Sequence, residues 1–68
     1  MTEFRCAVIR VGDEWTIAYN GQQFGTFRDQ LRAVDAAMRL ARDVAREGRP
    51  VHVLVQTSTG ELRLQARI

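Results

Sequence analysis

The sequence predicts a two-layer α+β domain with the element order β-β-β-α-β-β, in which one helix packs on one face of a mostly antiparallel sheet. Three observations support this fold class: several short segments alternate apolar and polar residues, an Asn-Gly pair separates two of them, and one long segment has helical periodicity. The chain has 68 residues, so we expect residues 1–68 to form a single small domain.

The first two strands are predicted from apolar content and alternation. Residues 4–11 are mostly apolar or β-branched and end at Gly12-Asp13, a typical turn pair. In the next segment, Trp15, Ile17 and Tyr19 alternate with smaller residues, which is typical of a strand with one strongly apolar face. We therefore place Trp15 in the core rather than on a surface that stacks nucleic-acid bases.

The second and third strands should be joined by a tight hairpin. Asn20 and Gly21 both tolerate positive φ, so the pair predicts a two-residue type I′ turn. The third strand is expected from Gln22 to about Phe27, with Phe24 in the core. Gly25 inside this strand indicates a β-bulge or the end of the strand.

Residues 30–47 predict the one long helix. Asp29 is the expected N-cap, Gly48 the left-handed residue after the last turn, and Pro50 prevents continuation. The residues expected to face the sheet are Leu31, Val34, Ala37, Met38, Ala41, Val44 and Ala45. On the outer side, the spacing predicts ion pairs of Asp35 with Arg32 and Arg39, and of Asp43 with Arg39. This pairing indicates a solvated helix face rather than a phosphate-binding stripe.

After Pro50 the alternation of strands returns. Val51, Val53 and Val55 should point to one side and His52, Leu54 and Gln56 to the other; residues 57–60 form a turn. In the last strand, Leu62, Leu64, Ala66 and Ile68 alternate with Glu61, Arg63, Gln65 and Arg67. The favoured sheet order is 3-2-1-5-4, fully antiparallel, and the alternative is 3-2-1-4-5, with one parallel pair.

Several of these residues carry a family resemblance. They are Gly12-Asp13-Glu14-Trp15-Thr16-Ile17, Gly21, Ala37, Ala41-Arg42, Ala45-Arg46, Gly48 and Gly60. From Gly12 onward the chain resembles the small uncharacterised bacterial domain-of-unknown-function family 2188. That group is typified by a G-x-W-x-V hairpin, an alanine-rich A-x-x-x-A-R-x-x-A-R helix that ends in glycine, and a final hairpin that contains glycine. The resemblance implies a fold and carries no activity.

The composition bears on phosphate binding, metal binding and cellular location. The net charge is +2, and all ten basic residues are arginine. A GC-rich genome explains this bias better than phosphate binding does, because eight acidic residues lie among the arginines. The single cysteine, Cys6, fits a reducing compartment, and residues 1–4 lack the layout of a signal peptide, so we expect a cytoplasmic protein. One cysteine and one histidine are too few for a structural zinc site. We expect no enzyme activity, cofactor or metal.

The candidate functional surface is the sheet face away from the helix. Alternation places five residues on it: His52, Leu54, Arg63, Gln65 and Arg67. An open sheet face with a few apolar residues is typical of a site for a protein partner. We expect a non-catalytic protein-interaction module that self-associates as a homodimer. The alternative is an RNA- or DNA-binding protein that uses the arginines of this face, and no membrane contact is expected.

Overall fold

The computed structural model describes residues 4–68, which form one five-stranded sheet and one helix. The elements are β1 (Phe4–Val11), β2 (Glu14–Tyr19), β3 (Gln22–Phe27), α1 (Gln30–Ala45), β4 (Val51–Gln56) and β5 (Leu62–Arg67). The predicted order β-β-β-α-β-β and the two-layer α+β class are confirmed. Three of the four strand pairs are antiparallel.

The sheet order is β3-β2-β1-β4-β5, and β1 and β4 are parallel. The fully antiparallel order that the sequence favoured is therefore wrong, and the alternative with one parallel pair is correct. The reason is the composition of the two last strands. In β4, Val51 and Val53 are fully buried and Val55 nearly so, which suits a central strand under the helix. The sequence of β5 carries a polar residue at every second position, which suits an edge strand.

The β2–β3 hairpin has the predicted turn. Asn20 and Gly21 join the strands with φ values of 53° and 77°, as a type I′ turn requires. The pairing of β2 with β3 shifts register near Gly25, which has φ of 74°. Of the two predicted alternatives, a bulge or the end of the strand, the bulge is therefore correct. The Thr16 hydroxyl donates to the Gly25 carbonyl at 2.7 Å and holds the bulge in place.

Helix α1 begins as predicted. The Asp29 carboxylate accepts a hydrogen bond from the Arg32 backbone N–H at 2.8 Å, which confirms Asp29 as the N-cap. The helix ends at Ala45, two residues before the predicted end, with Arg46 as the C-cap. Gly48 has φ of 81°, and its N–H donates to the Ala45 carbonyl at 2.9 Å, so it closes the last turn in the predicted left-handed conformation.

The buried side of α1 is a row of small residues. Ala33, Ala37 and Ala41 are fully buried, and Val44 is buried beside them. Ala33 was not among the residues expected to face the sheet, whereas Leu31 was, and Leu31 is 79% exposed. The stripe is therefore rotated toward the alanines, because small side chains allow the helix backbone to approach the sheet closely.

The core lies between α1 and the sheet. Its buried sheet residues are Cys6, Val8, Ile17, Val51, Val53 and Val55. Trp15 and Tyr19 pack against it at the side, which agrees with the core assignment of Trp15. The ring centroids of Phe24 and Tyr19 lie 6.3 Å apart, but Phe24 is 40% exposed, so the prediction of Phe24 in the core is wrong. The reason is that β3 is an edge strand that the helix covers only partly.

Within residues 4–68, no helix has both the length and the apolar content needed to cross a membrane.

Candidate protein-interaction surface

The side of the sheet away from α1 carries an apolar patch. Strand register places Leu64, Leu54, Ala7 and Ala18 in one row across four strands, since directly paired residues point to the same side. Next to this row lie Ile9 on β1 and Leu62 on β5. We call these six residues the open-face patch: Ala7, Ile9, Ala18, Leu54, Leu62 and Leu64.

A bulge in β5 brings two of these leucines to the open face. Val53 pairs with Ala66 and Leu54 pairs with Leu64, so Gln65 is an extra residue that has no partner in β4. The alternation of β5 reverses at this point. Leu64 therefore shares the face of Leu54, and it is 47% exposed, while Leu62 is 49% exposed.

The predicted surface residues are only partly brought together. His52, Leu54 and Arg67 lie on the open face, where Arg67 pairs with His52. Arg63 does not, because it pairs with Val55 and therefore lies toward the helix side. Gln65 is the bulged residue and is exposed. Strict alternation was thus a wrong guide for Arg63, and it also assigned Leu62 and Leu64 to the wrong face. Neither glycine nor proline marks this bulge in the sequence.

The open face is charged at both ends with opposite sign. At the end where β1 and β4 begin, Arg5, His52 and Arg67 form one row. At the other end, Glu14 begins β2 opposite Val11 and is exposed. The apolar patch lies between the two ends, so the face has a basic end, an apolar middle and an acidic end.

A shallow hollow extends the face toward β3. It has a volume of about 320 Å³ and is lined by Val11, Glu14, Trp15, Thr16, Gln23, Gly25 and Thr26. The β2–β3 bulge shapes its floor, because Thr16 is tied to the Gly25 carbonyl there. The face is therefore uneven, with exposed leucines at the β5 side and a depression at the β3 side.

Both edges of the sheet are interrupted. Edge strand β3 contains the Gly25 bulge, and edge strand β5 contains the Gln65 bulge. Bulges disturb the regular row of N–H and C=O groups that a second strand needs for pairing. Addition of a strand from another molecule is thus disfavoured at both edges, whereas no element within residues 4–68 covers the open face.

Cys6 and His52 lie on opposite sides of the sheet. Cys6 pairs with Val53 and is fully buried under the helix, while His52 belongs to the open-face row. Burial raises the pKa of the Cys6 thiol above its ordinary value of 9.0, which makes it a poor nucleophile. The geometry therefore does not form a Cys-His dyad. Among residues 4–68, no cluster of three or more His, Cys, Asp or Glu residues is arranged to hold a metal ion.

The outer face of α1 carries ion pairs between aspartates and arginines, as predicted, but only one of the pairs joins the predicted partners. Arg39 contacts Asp35 at 3.2 Å, which confirms one predicted pair. Arg32 instead contacts Asp29 at 3.3 Å, and Asp43 contacts Arg46 at 3.6 Å. These pairs are exposed and contribute about 0.2–0.5 kcal/mol each, so they describe a solvated surface.

No protein-family model, curated protein or solved structure matches the chain. The resemblance to family 2188 stays a prediction that rests on the residues quoted for it.

Proposed function

We propose that this protein is a non-catalytic interaction module that forms a homodimer through its open sheet face, in the cytoplasm. The observation that carries the proposal is the open-face patch, in which Leu54, Leu62 and Leu64 lie side by side on a face that α1 does not cover. Because one helix shields only one side of the sheet, the other side keeps its leucines in water until a partner covers them.

The size of the face fits a small dimer. Five strands spaced about 4.8 Å apart, each about six residues long, span roughly 24 by 20 Å. Interfaces at the lower end of the specific range bury about 600–800 Å² per partner, and side-chain relief makes accessible area larger than projected area. A second copy is therefore an occupant of suitable dimensions, and a domain this small gains stability by burying the patch.

The charges favour one orientation. In a two-fold dimer whose axis lies in the interface and runs across the strands, each end of one face meets the opposite end of the other. If the axis passes between the rows of Ala7 and Ile9, the Arg5 row of one copy lies over the Val11–Glu14 end of its partner. The apolar rows then meet each other in the middle. This arrangement pairs basic with acidic ends, whereas an axis along the strands would place arginine on arginine.

A charge-reversal cycle tests this orientation. We expect Arg5→Glu and Glu14→Arg each to weaken the dimer at least tenfold, because like charges then meet at both ends of the interface. The double variant R5E/E14R should recover most of the lost affinity, since the two reversed charges face each other again. Sedimentation velocity over a dilution series in the micromolar range measures the dissociation constant.

Arg63→Glu is the matched control. It makes the same change of charge on an exposed strand arginine, but on the helix side of the sheet, so it should leave the dissociation constant nearly unchanged. A parent protein that stays monomeric at all concentrations would contradict the homodimer. Dimerisation without recovery in the double variant would contradict the orientation alone.

Nucleic-acid binding is the second candidate function. Its supporting observation is the basic row of Arg5, His52 and Arg67 on the open face. Register places Tyr19 and Phe24 on the helix side, and Trp15, which lines the first hollow, lies at the end of the sheet away from this row. Among the described residues, the basic row therefore has no neighbouring aromatic ring on its own face for base stacking. Salt-dependent binding of single-stranded RNA or DNA at about 50 mM salt, lost in R5E, would favour this candidate over the dimer.

A further inference from the structure

A second hollow lies at the end of the sheet near the start of α1. Its volume is about 510 Å³, within the range of small-molecule sites. It is lined by Arg10, Gly12, Trp15, Gln30, Gln56, Thr57, Ser58 and Gly60. These residues come from the β1–β2 hairpin, the first turn of α1, and the end of β4 with the β4–β5 turn that follows it. Parallel strands β1 and β4 both end here, the location where α/β sheets commonly bind ligands.

Hydrogen bonds fix the frame of this hollow. The Gln56 side chain accepts from the Arg10 backbone N–H at 2.9 Å and donates to the Gly60 carbonyl at 3.2 Å. The Gln30 side chain donates to the Gln56 carbonyl at 3.2 Å and ties the helix to the β4–β5 turn. One glutamine thus joins β1, β4 and the β4–β5 turn, and a second glutamine attaches α1 to them. The walls are therefore held by side chains from separate elements.

The charge of the hollow has one sign. Arg10 is its single charged lining residue in the part of the chain that the structure describes. The Arg10 Nε donates to the Gly12 carbonyl at 3.0 Å, which orients the guanidinium and leaves its two terminal nitrogens for a ligand. Ser58 lines the same hollow, and its hydroxyl is a neutral donor. This set of donors suits a phosphate or carboxylate group.

Trp15 supplies the apolar part of the site. It pairs with Arg10 across β1 and β2, so the two side chains lie on the same side of the sheet. Trp15 is half-buried and lines the hollow beside Arg10. An indole next to a guanidinium suits a planar ring that bears a negative group, because the ring stacks or packs on the indole while the anion meets the arginine.

We propose that this hollow is a binding site for a small aromatic anion, a planar ring that carries a phosphate or a carboxylate. Arg10 binds the anionic group, Ser58 donates a hydrogen bond to it, and Trp15 contacts the ring. The site lies on the helix side of the sheet, and its binding does not depend on the dimer.

Fluorescence of Trp15 tests the site directly, because it is the single tryptophan of the chain. The titrations use phenyl phosphate, benzoate, inorganic phosphate and phenol. We expect saturable fluorescence changes with phenyl phosphate or benzoate. The dissociation constant of at least one of them should be at least tenfold lower than that of inorganic phosphate or phenol. The comparison between phenyl phosphate and benzoate identifies the preferred anionic group. Titration of the R5E variant keeps the measurement independent of self-association.

Arg10→Gln should weaken binding of the preferred aromatic anion at least tenfold. Arg63→Gln should not weaken it, because Arg63 is an exposed strand arginine outside the hollow. Amide chemical shifts of Gly12, Ser58 and Gly60 should move in the same titration, which places the ligand even where a variant folds poorly. Absence of saturation with both aromatic anions, or equal affinity in Arg10→Gln, would overturn the proposal.

Discussion

The two faces of the sheet differ in how their apolar residues are used. On the helix side, Val51 and Val53 are fully buried beneath the alanines of α1. On the open side, Leu62 and Leu64 are about half exposed although they are larger and more apolar. The same strands thus have one face that the helix covers and one face that no described element covers. This contrast indicates that the first face supplies the stability of the fold, and it is the basis for our proposal that the second face mediates association.

The largest expected effect comes from placing a charge on the covered face. Ala37→Glu would bury a carboxylate where Ala37 is fully buried, at a cost of several kcal/mol. A domain of this size has about 3–5 kcal/mol of stability, so the variant should be unfolded by circular dichroism. Leu31→Glu is the control on the same helix, because Leu31 is 79% exposed, and it should fold normally. A folded Ala37→Glu protein would show that the alanine row is not the core contact.

Thiol reactivity compares the two faces at neighbouring positions of β1. Cys6 is fully buried and burial raises its pKa, so near pH 8 it should react with a thiol reagent only when the domain opens. The double variant Cys6→Ala with Ala7→Cys moves the thiol to the open face. We expect it to react about a hundredfold faster or more, since opening costs a large part of the stability.

Two further measurements complete the thiol comparison. Both proteins should react at the same rate in urea, which is the control for intrinsic reactivity. If the open face forms the dimer, protection of the relocated thiol in the double variant should increase with protein concentration, whereas protection of Cys6 in the parent protein should not. Equal native rates for the two thiols would remove the distinction between the faces.

The smallest expected effect is a difference in the free energy of unfolding between two variants at adjacent residues of β4. Val53→Ala removes two methyl groups from a fully packed site and should lower the free energy of unfolding by about 2 kcal/mol. Leu54→Ala removes more atoms, but from the half-buried open face, so it should cost less than about 1 kcal/mol in the dilute monomer. Urea denaturation at low protein concentration measures both. The order should reverse for dimer affinity, which Leu54→Ala weakens and Val53→Ala leaves unchanged.

Local signals in the sequence predicted most of the elements. Asp29 as N-cap, the Asn20-Gly21 turn, the Gly25 bulge and the left-handed Gly48 were all confirmed, because each depends on the chemistry of one to four neighbouring residues. The alternation of β4 was confirmed for the same reason.

The errors concern features that depend on packing and strand pairing rather than on neighbouring residues. Leu31 was assigned to the helix–sheet interface on spacing alone, but the buried row of α1 is formed by Ala33, Ala37 and Ala41, and Leu31 is 79% exposed. Arg63, Leu62 and Leu64 were each assigned to the wrong face, because the Gln65 bulge reverses the alternation of β5 without a glycine or proline to mark it. The second hollow was not predicted, since its lining residues come from three segments that are distant in the sequence.

The sequence by itself determined the fold class, the element order and the side of β4 that is buried, because periodicity and turn chemistry act over a few residues. Only the tertiary structure decided that β4 rather than β5 lies beside β1, and which side of β5 faces the helix. Both depend on which strand buries more apolar surface under α1, and this involves residues that are far apart in the chain. The open-face patch follows from that outcome, since a slip of one residue in β5 moves its leucines from one side of the sheet to the other.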